Sequence, residues 1–185
     1  MNITEHRIGV FLSGGMDSAL LLYLVAQQTP SCIQTFTVPK HDGAATYVQP
    51  IIDWVTSKTE CCIHTPIILG DPDLPHQRIL GDAINRVIRH NLCDYFYIGD
   101  NSYPEHELPD GPKRIKMSSE KARYPFFHMT KIDILKLYLK HDIMDLLPLT
   151  HTCTEQSLGR CGRCWQCRER AWAFEKCDIQ DLTST

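Results

Sequence analysis

The chain has 185 residues, 43% of them apolar and 22% charged, with a formal net charge of −3. That length fits one domain of the common size class, able to hold a core without staples. The acidic balance gives no support to a role as a general nucleic-acid-coating protein, which is normally basic, and leaves only a local basic patch open; no run of roughly 18 apolar residues is present to span a membrane.

Residues 1–7 carry Glu5, His6 and Arg7 and lead into a strand, not into the apolar segment of a secretory signal. Residues 7–12 form a short apolar run, followed by a glycine pair and a stretch, 17–28, that is apolar nearly all round, as in a buried helix. Pro30 stops it. Residues 33–38 alternate and are β-branched; 44–58 place Val48, Ile51, Ile52 and Val55 on one helical face, with Pro50 set to kink the helix or shift its start. Residues 61–69 are a third strand candidate, limited by Pro66. Residues 75–90 carry Ile79, Leu80, Ala83, Ile84, Val87 and Ile88 at three-and-four spacing, and 95–98 form a fourth strand that ends at Gly99.

Residues 101–124 are polar, contain Pro and Gly, and lack apolar periodicity, which predicts a long loop, functional or disordered. Helices are expected at 130–141 and 168–176, with a frayed tail over 178–185. Strands that alternate with helices predict a doubly wound parallel α/β sheet of four or five strands, with helices on both faces. The unit is expected over 1–150, with a small cysteine-bearing element at 151–185 belonging to the same compact body. Ligands of such sheets sit at the carboxyl ends of the strands, where 13–18 and 99–102 fall.

The string Ser13-Gly14-Gly15-Met16-Asp17-Ser18 follows the first strand and opens the first helix. Two glycines let the backbone turn sharply and approach a ligand, and amides at a helix entrance favour an anion. Leu12 through Ser18 are therefore the candidate phosphate-binding residues. Asp17 can cap amides or stand near a phosphate-bound metal. The Lys of a Walker A loop is missing.

Nine cysteines are an odd number. Cys32, Cys61, Cys62 and Cys93 lie in apolar runs and read as buried free thiols, a pattern that suits a reducing cytoplasm. Cys153-x7-Cys161-x2-Cys164-x2-Cys167 offers four thiols in one short stretch, the donor set of a closed tetrahedral zinc site. Spacing alone leaves an iron–sulfur cluster open. Gly162 eases the turn; Arg160, Arg163, Arg168 and Arg170 surround the cluster and can offset its charge or donate to sulfur, and Cys177 lies past the last helix, outside the set.

The glycine string resembles the pyrophosphate loop of the N-type ATP pyrophosphatases. Loop and cysteines together resemble QueC, the 7-cyano-7-deazaguanine synthase family, in three pieces: Ser13 to Ser18; Tyr124-Pro125-Phe126 through Lys131-x-Asp133-Ile134 to Thr150-His151-Thr152-Cys153; and Cys161-Gly162-x-Cys164-x2-Cys167-x-Glu169-Arg170. The resemblance implies an adenine-nucleotide α-hydrolase-like, Rossmann-like fold and a cytoplasmic, often homodimeric enzyme that uses ATP, Mg2+ and Zn2+. It further implies that the enzyme joins 7-carboxy-7-deazaguanine and ammonia into an amide and then a nitrile, releasing AMP and pyrophosphate. Two stretches depart from the family. Its Asp-x-Ser-Gly-Tyr-Pro-Asp-Cys-Arg string becomes Gly99-Asp100-Asn101-Ser102-Tyr103-Pro104-Glu105-His106-Glu107, and its Pro-Gly-Arg-Asn becomes Pro75-His76-Gln77-Arg78. Family members are also longer.

Lys131 stands at a helix start and can neutralise phosphate, or is a solvated first-turn lysine. Asp100, Ser102 and Tyr103 are the candidate substrate residues, with a turn-capping role as the alternative for Asp100. His128 and His151 read as packing or turn residues. Lys113, Arg114, Lys116, Lys121 and Arg123 can close over triphosphate as a lid or remain a solvated loop. Two functional alternatives stand beside the ligase: a sulfurtransferase acting on a nucleobase, and a non-catalytic nucleotide-binding relative. The first would need a cysteine or an iron–sulfur centre at the carboxyl edge of the sheet.

Overall fold

The computed structural model describes residues 6–39, 42–71, 76–111 and 119–181. Five strands, all paired in parallel, form one sheet in the order β3-β2-β1-β4-β5: β1 (Ile8–Phe11), β2 (Ile33–Thr37), β3 (Ile63–Ile68), β4 (Tyr95–Ile98) and β5 (Ala122–Arg123). The helices are α1 (Met16–Gln28), α2 (Val48–Thr59), α3 (His76–Arg89), α4 (Lys131–Lys140) and α5 (Trp165–Lys176). No helix among the described residues is long and apolar enough to cross a membrane.

Two apolar layers sandwich the sheet. One packs α1 with Ile51, Ile52 and Val55 of α2, Ile134, Leu135 and Tyr138 of α4, and Phe174 of α5 against Ile8, Val10 and Ile33. The other sets Ile79, Ala83, Ile84 and Val87 of α3 against Phe11, Phe36, Phe96 and Ile98. The period of two along each strand divides its side chains between these layers. α1 is buried nearly all round, as its uniform apolar sequence requires.

Several boundaries differ from the sequence expectation for local reasons. The helix expected over 44–58 is a 3-10 turn at Ala44–Tyr47 followed by α2, which puts Pro50 in the first turn, where its missing N–H costs no bond. α4 is opened by a capping box: Thr130 Oγ1 and the Asp133 carboxylate exchange bonds with each other's backbone amides. α5 starts at Trp165, three residues ahead of expectation, because the Cys164 backbone serves as its N-cap. β5 falls inside the stretch expected to be loop; two residues are too few to carry a period. β3 is an edge strand, which tolerates Pro66, and its register against β2 shifts between Gln34 and Phe36.

Two expectations are corrected. Cys32 and Cys62 are not buried free thiols: they stand just ahead of the neighbouring strands β2 and β3 and are joined by a disulfide. Cys61 and Cys93 are buried and free, and burial pushes both thiols up, Cys93 to about 11. The tail is also held through residue 181. Asp181 pairs with both Arg160 and Arg170, and Ile179 packs on the core.

Candidate active site

β1 delivers the chain to the loop at 13–18. Gly14 has φ +85°, and a Cβ there would run into the Ala44 carbonyl oxygen, so left-handed backbone and close approach both demand glycine. Gly15, the N-cap of α1, is extended at φ −87°, and a Cβ on it would meet only Ser13 Oγ at 3.4 Å and the His151 carbonyl oxygen at 3.5 Å. The serines brace the loop from inside. Ser18 Oγ accepts from the Ser13 N–H at 3.1 Å and donates to the Gly15 carbonyl at 3.0 Å, and Ser13 Oγ accepts from the Gly15 N–H at 3.3 Å. From α4, the buried Tyr138 hydroxyl donates to the Met16 carbonyl at 2.6 Å. Burial holds that phenol far above its usual pKa, so it stays a neutral donor.

A cavity of about 400 Å³ opens beside the loop at the carboxyl ends of the strands. Phe11, Phe36 and Ile98 from the strands and Leu80 and Ile84 from α3 supply its apolar lining. The polar lining comes from the loop and from later segments: Asp17, Asp100, Asn101, Lys131, His151, Thr152, Thr154, Gln166 and Glu169.

The charged centre of this lining is Lys131. It is 4% exposed, pairs with the Asp17 carboxylate, and lies 3.5 Å from Glu169 Oε2. Glu169 is 1% exposed, and its Oε1 accepts from Asn101 Nδ2 at 3.1 Å. A buried ammonium held between the buried Glu169 and the half-buried Asp17 carboxylates is costly to break, because removal of one partner strands a charge. The remaining Asp17 oxygen, Oδ1, is buried with no hydrogen-bond partner among the described residues. An anionic oxygen so placed fits a cation or a cation-bound water. His151 stacks on Tyr47, with ring centroids 4.9 Å apart, and its backbone N–H donates to the Gly14 carbonyl at 2.8 Å.

The four cysteines converge beside this lining. The sulfurs of Cys153, Cys161, Cys164 and Cys167 all lie within 4.8 Å of one another, and all but Cys161 are buried. Amides point at the sulfurs: Glu155 and Cys161 donate to Cys153 Sγ at 3.4 and 3.5 Å, and Cys164 donates to Cys161 Sγ at 3.2 Å. Burial raises the Cys153 and Cys164 thiols, but backbone N–H groups and neighbouring side-chain donors outweigh it and bring both below the ordinary range, Cys164 to about 6, whereas Cys161 and Cys167 are raised, Cys167 to about 12 by burial and by its bond to Cys164. A buried, amide-supported thiolate set fits a soft cation. Of the four arginines, Arg163 alone is drawn by the Cys161 sulfur as well as by a carboxylate. Arg160 and Arg170 pair with Asp181, Arg163 pairs with Glu155, and Arg168 is exposed.

The structure brings Leu12, Ser13, Gly15, Met16, Asp17, Ser18, Asp100 and Lys131 to one cavity. It does not bring Ser102 or Tyr103 there. The Ser102 N–H donates to the Met129 carbonyl, and the Tyr103 hydroxyl donates to the Gly111 carbonyl while its ring stands edge-on to Trp165. Among the lid candidates, Lys121 donates to Asn91 Oδ1 and the Cys93 carbonyl and Arg123 to the Glu120 carbonyl, both at the edge of the sheet. Lys113, Arg114 and Lys116 lie outside the described residues. Asn101, His151, Gln166 and Glu169 were not read from the sequence as site residues. The one available signal was Glu169, two positions after the last cysteine of the cluster.

Two family models match the chain in separate segments: asparagine synthase over residues 2–77 and queuosine biosynthesis protein QueC over residues 111–178. No curated protein matches it significantly. Among solved structures, NMN synthetase from Francisella tularensis is 15% identical with a TM-score of 0.54, over 98% of this chain and 81% of that one. The U34-tRNA thiolase NcsA from Methanococcus maripaludis, with its [4Fe-4S] cluster, is 16% identical with a TM-score of 0.49, over 93% of this chain and 67% of that one. The first family model covers the strand, glycine loop and first helix that open the cavity, while the second covers the lysine and cysteine segments that complete it; in these two stretches the chain is similar to the PP-loop ATP pyrophosphatases, the second stretch being QueC-like.

Proposed function

We propose that the protein is an ATP-dependent ligase that activates a carboxylate, 7-carboxy-7-deazaguanine or a close relative, and joins it to ammonia. The observation that carries this reading is the meeting of Asp17, Lys131 and Glu169 at the pyrophosphate loop, inside a cavity whose other lining is apolar enough for flat rings. The QueC match over the segment that supplies Lys131 and the cysteines supports the substrate class.

A carboxylate is a poor electrophile because its oxygen leaves badly. Its attack on the α-phosphorus of ATP forms an acyl-adenylate and expels pyrophosphate; ammonia then adds to the acyl carbon and AMP leaves with the oxygen. In a second round the amide oxygen is adenylated, and loss of AMP and protons leaves the nitrile. The chain's part is electrostatic and positional, the contribution that is commonly largest. Amides of 14–18 face the phosphates, Lys131 offsets their charge, and Asp17 Oδ1 is the group that would hold magnesium, which supplies charge neutralisation on the departing pyrophosphate. Asp100 stands where an acceptor ring can be read by its polar edge.

Cys153, Cys161, Cys164 and Cys167 would hold one zinc ion in a closed set. Four protein thiolates leave no open coordination position, and the described residues lining the cavity include no cysteine. Both points favour the ligase over sulfur transfer. Incubation of the protein with Mg·ATP, ammonium and 7-carboxy-7-deazaguanine tests the reading by product mass. A product one mass unit lighter than the acid marks the amide, and a further loss of water the nitrile. Conversion that requires a sulfur donor and adds sulfur to the acceptor would overturn it.

A further inference from the structure

A second group of metal-ligating side chains stands at the opposite end of the sheet, where the strands begin. Ile33 of β2 pairs in register with Ile63 of β3, so the residues just ahead of them, Cys32 and Cys62, are neighbours with Cα atoms 4.5 Å apart. Side chains two apart on a strand share a face, so His64 rises beside Cys62. The donor atoms of Cys32, Cys62 and His64 all lie within 4.8 Å of one another. Cys61 is turned away: its thiol is buried, 3.8 Å from the Ser31 carbonyl. None of these residues lines the cavity at the carboxyl ends of the strands.

Cys32 and Cys62 form a disulfide in this structure. A phosphine or thiol reductant adds two electrons and two protons to that bond and leaves two thiols. Two thiolates and one neutral imidazole are the donor set of a borderline divalent cation. We propose that the reduced chain binds one zinc-class ion on Cys32, Cys62 and His64, with water as the remaining ligand, separate from the four-cysteine cluster. Binding releases two thiol protons and moves no electrons. β3 is the edge of the sheet, and its ladder to β2 is interrupted near Pro66. An ion at this point ties the start of that strand to its neighbour, so binding raises folded-state stability.

The test counts zinc. Full-length protein is reduced with excess tris(2-carboxyethyl)phosphine, freed of metal-binding buffer without air, and titrated with Zn2+ against a chromophoric chelator. Wild type is expected to take up one tight equivalent more than Cys62→Ser. His64→Ala should weaken that equivalent at least about tenfold, and added zinc should raise Tm more in wild type than in Cys62→Ser. Cys62 and His64 are exposed, and Cys32→Ser serves as a second variant with the same expected count as Cys62→Ser. Equal zinc counts in wild type and both serine variants would overturn the site, as would an extra equivalent indifferent to His64→Ala. A thiol assay that finds Cys32 and Cys62 still oxidised under phosphine would overturn it as well.

Discussion

Gly14 and Gly15 do different work in the loop. Gly14 is required by the fold, since its left-handed backbone and the Ala44 carbonyl oxygen leave no place for a side chain. Gly15 has ordinary room around it, so its lack of a side chain serves what comes to the loop from the cavity. The two substitutions should therefore separate. Gly14→Ala is expected to cost about 2–4 kcal/mol and to lower Tm by roughly 5–10 °C. Gly15→Val should leave Tm within about 3 °C, because the site is at the cavity edge, while weakening Mg·ATP binding by about 100-fold or more. Thermal melts and equilibrium binding on both variants check this; a Gly15→Val protein with undiminished ATP affinity would show that the phosphates lie elsewhere. The turn at 13–18 was legible as a tight strand-to-helix junction because glycine, serine and aspartate act there through backbone and local bonds. Glu169 was not, since nothing in its own neighbourhood says that it will meet Lys131, 38 positions away in sequence.

At the scale of elements, α5 links the cysteine cluster to the cavity. Its N-cap is Cys164, its first turn carries Cys167 and Gln166, and Gln166 with Glu169 of the next turn faces the cavity while Arg170 holds Thr150 and Thr152 from behind. The cluster is thus one support of the cavity lining, and its metal should be coupled to the order of that lining. One zinc and no iron per chain is the expected elemental analysis. Cys164→Ser should lose the metal, lower Tm by several degrees or more, and weaken Mg·ATP binding together with it. Elemental iron with a visible absorption band would reject zinc, and a metal-free Cys164→Ser protein that melts and binds ATP like wild type would reject the coupling. The alternating strands and amphipathic helices announced this architecture. Strand β5 and the early start of α5 did not show in the sequence. Two residues carry no period, and a cysteine backbone is not a recognised cap signal.

For the molecule as a whole, the parallel sheet gathers segments far apart in sequence at one edge, as doubly wound sheets do. The loop after β1, the end of β4, the start of α4 and the first turn of α5 meet there, and the rest of the chain holds them in place. Residues 99–107 show the limit of reading such a site from sequence. Asp100 reaches the cavity as expected, whereas Ser102 and Tyr103 are spent on backbone bonds to Met129 and Gly111, because the chain turns away from the sheet after Asn101. The central claim is that ATP is cut between its α and β phosphates with the acid's oxygen as nucleophile. The most direct measurement uses the acid labelled with 18O in its carboxylate, with Mg·ATP and ammonium, and follows the nucleotide by mass spectrometry. The account predicts AMP and pyrophosphate, with one 18O atom carried into AMP for each amide formed. ADP with phosphate, or AMP without the label, would contradict it.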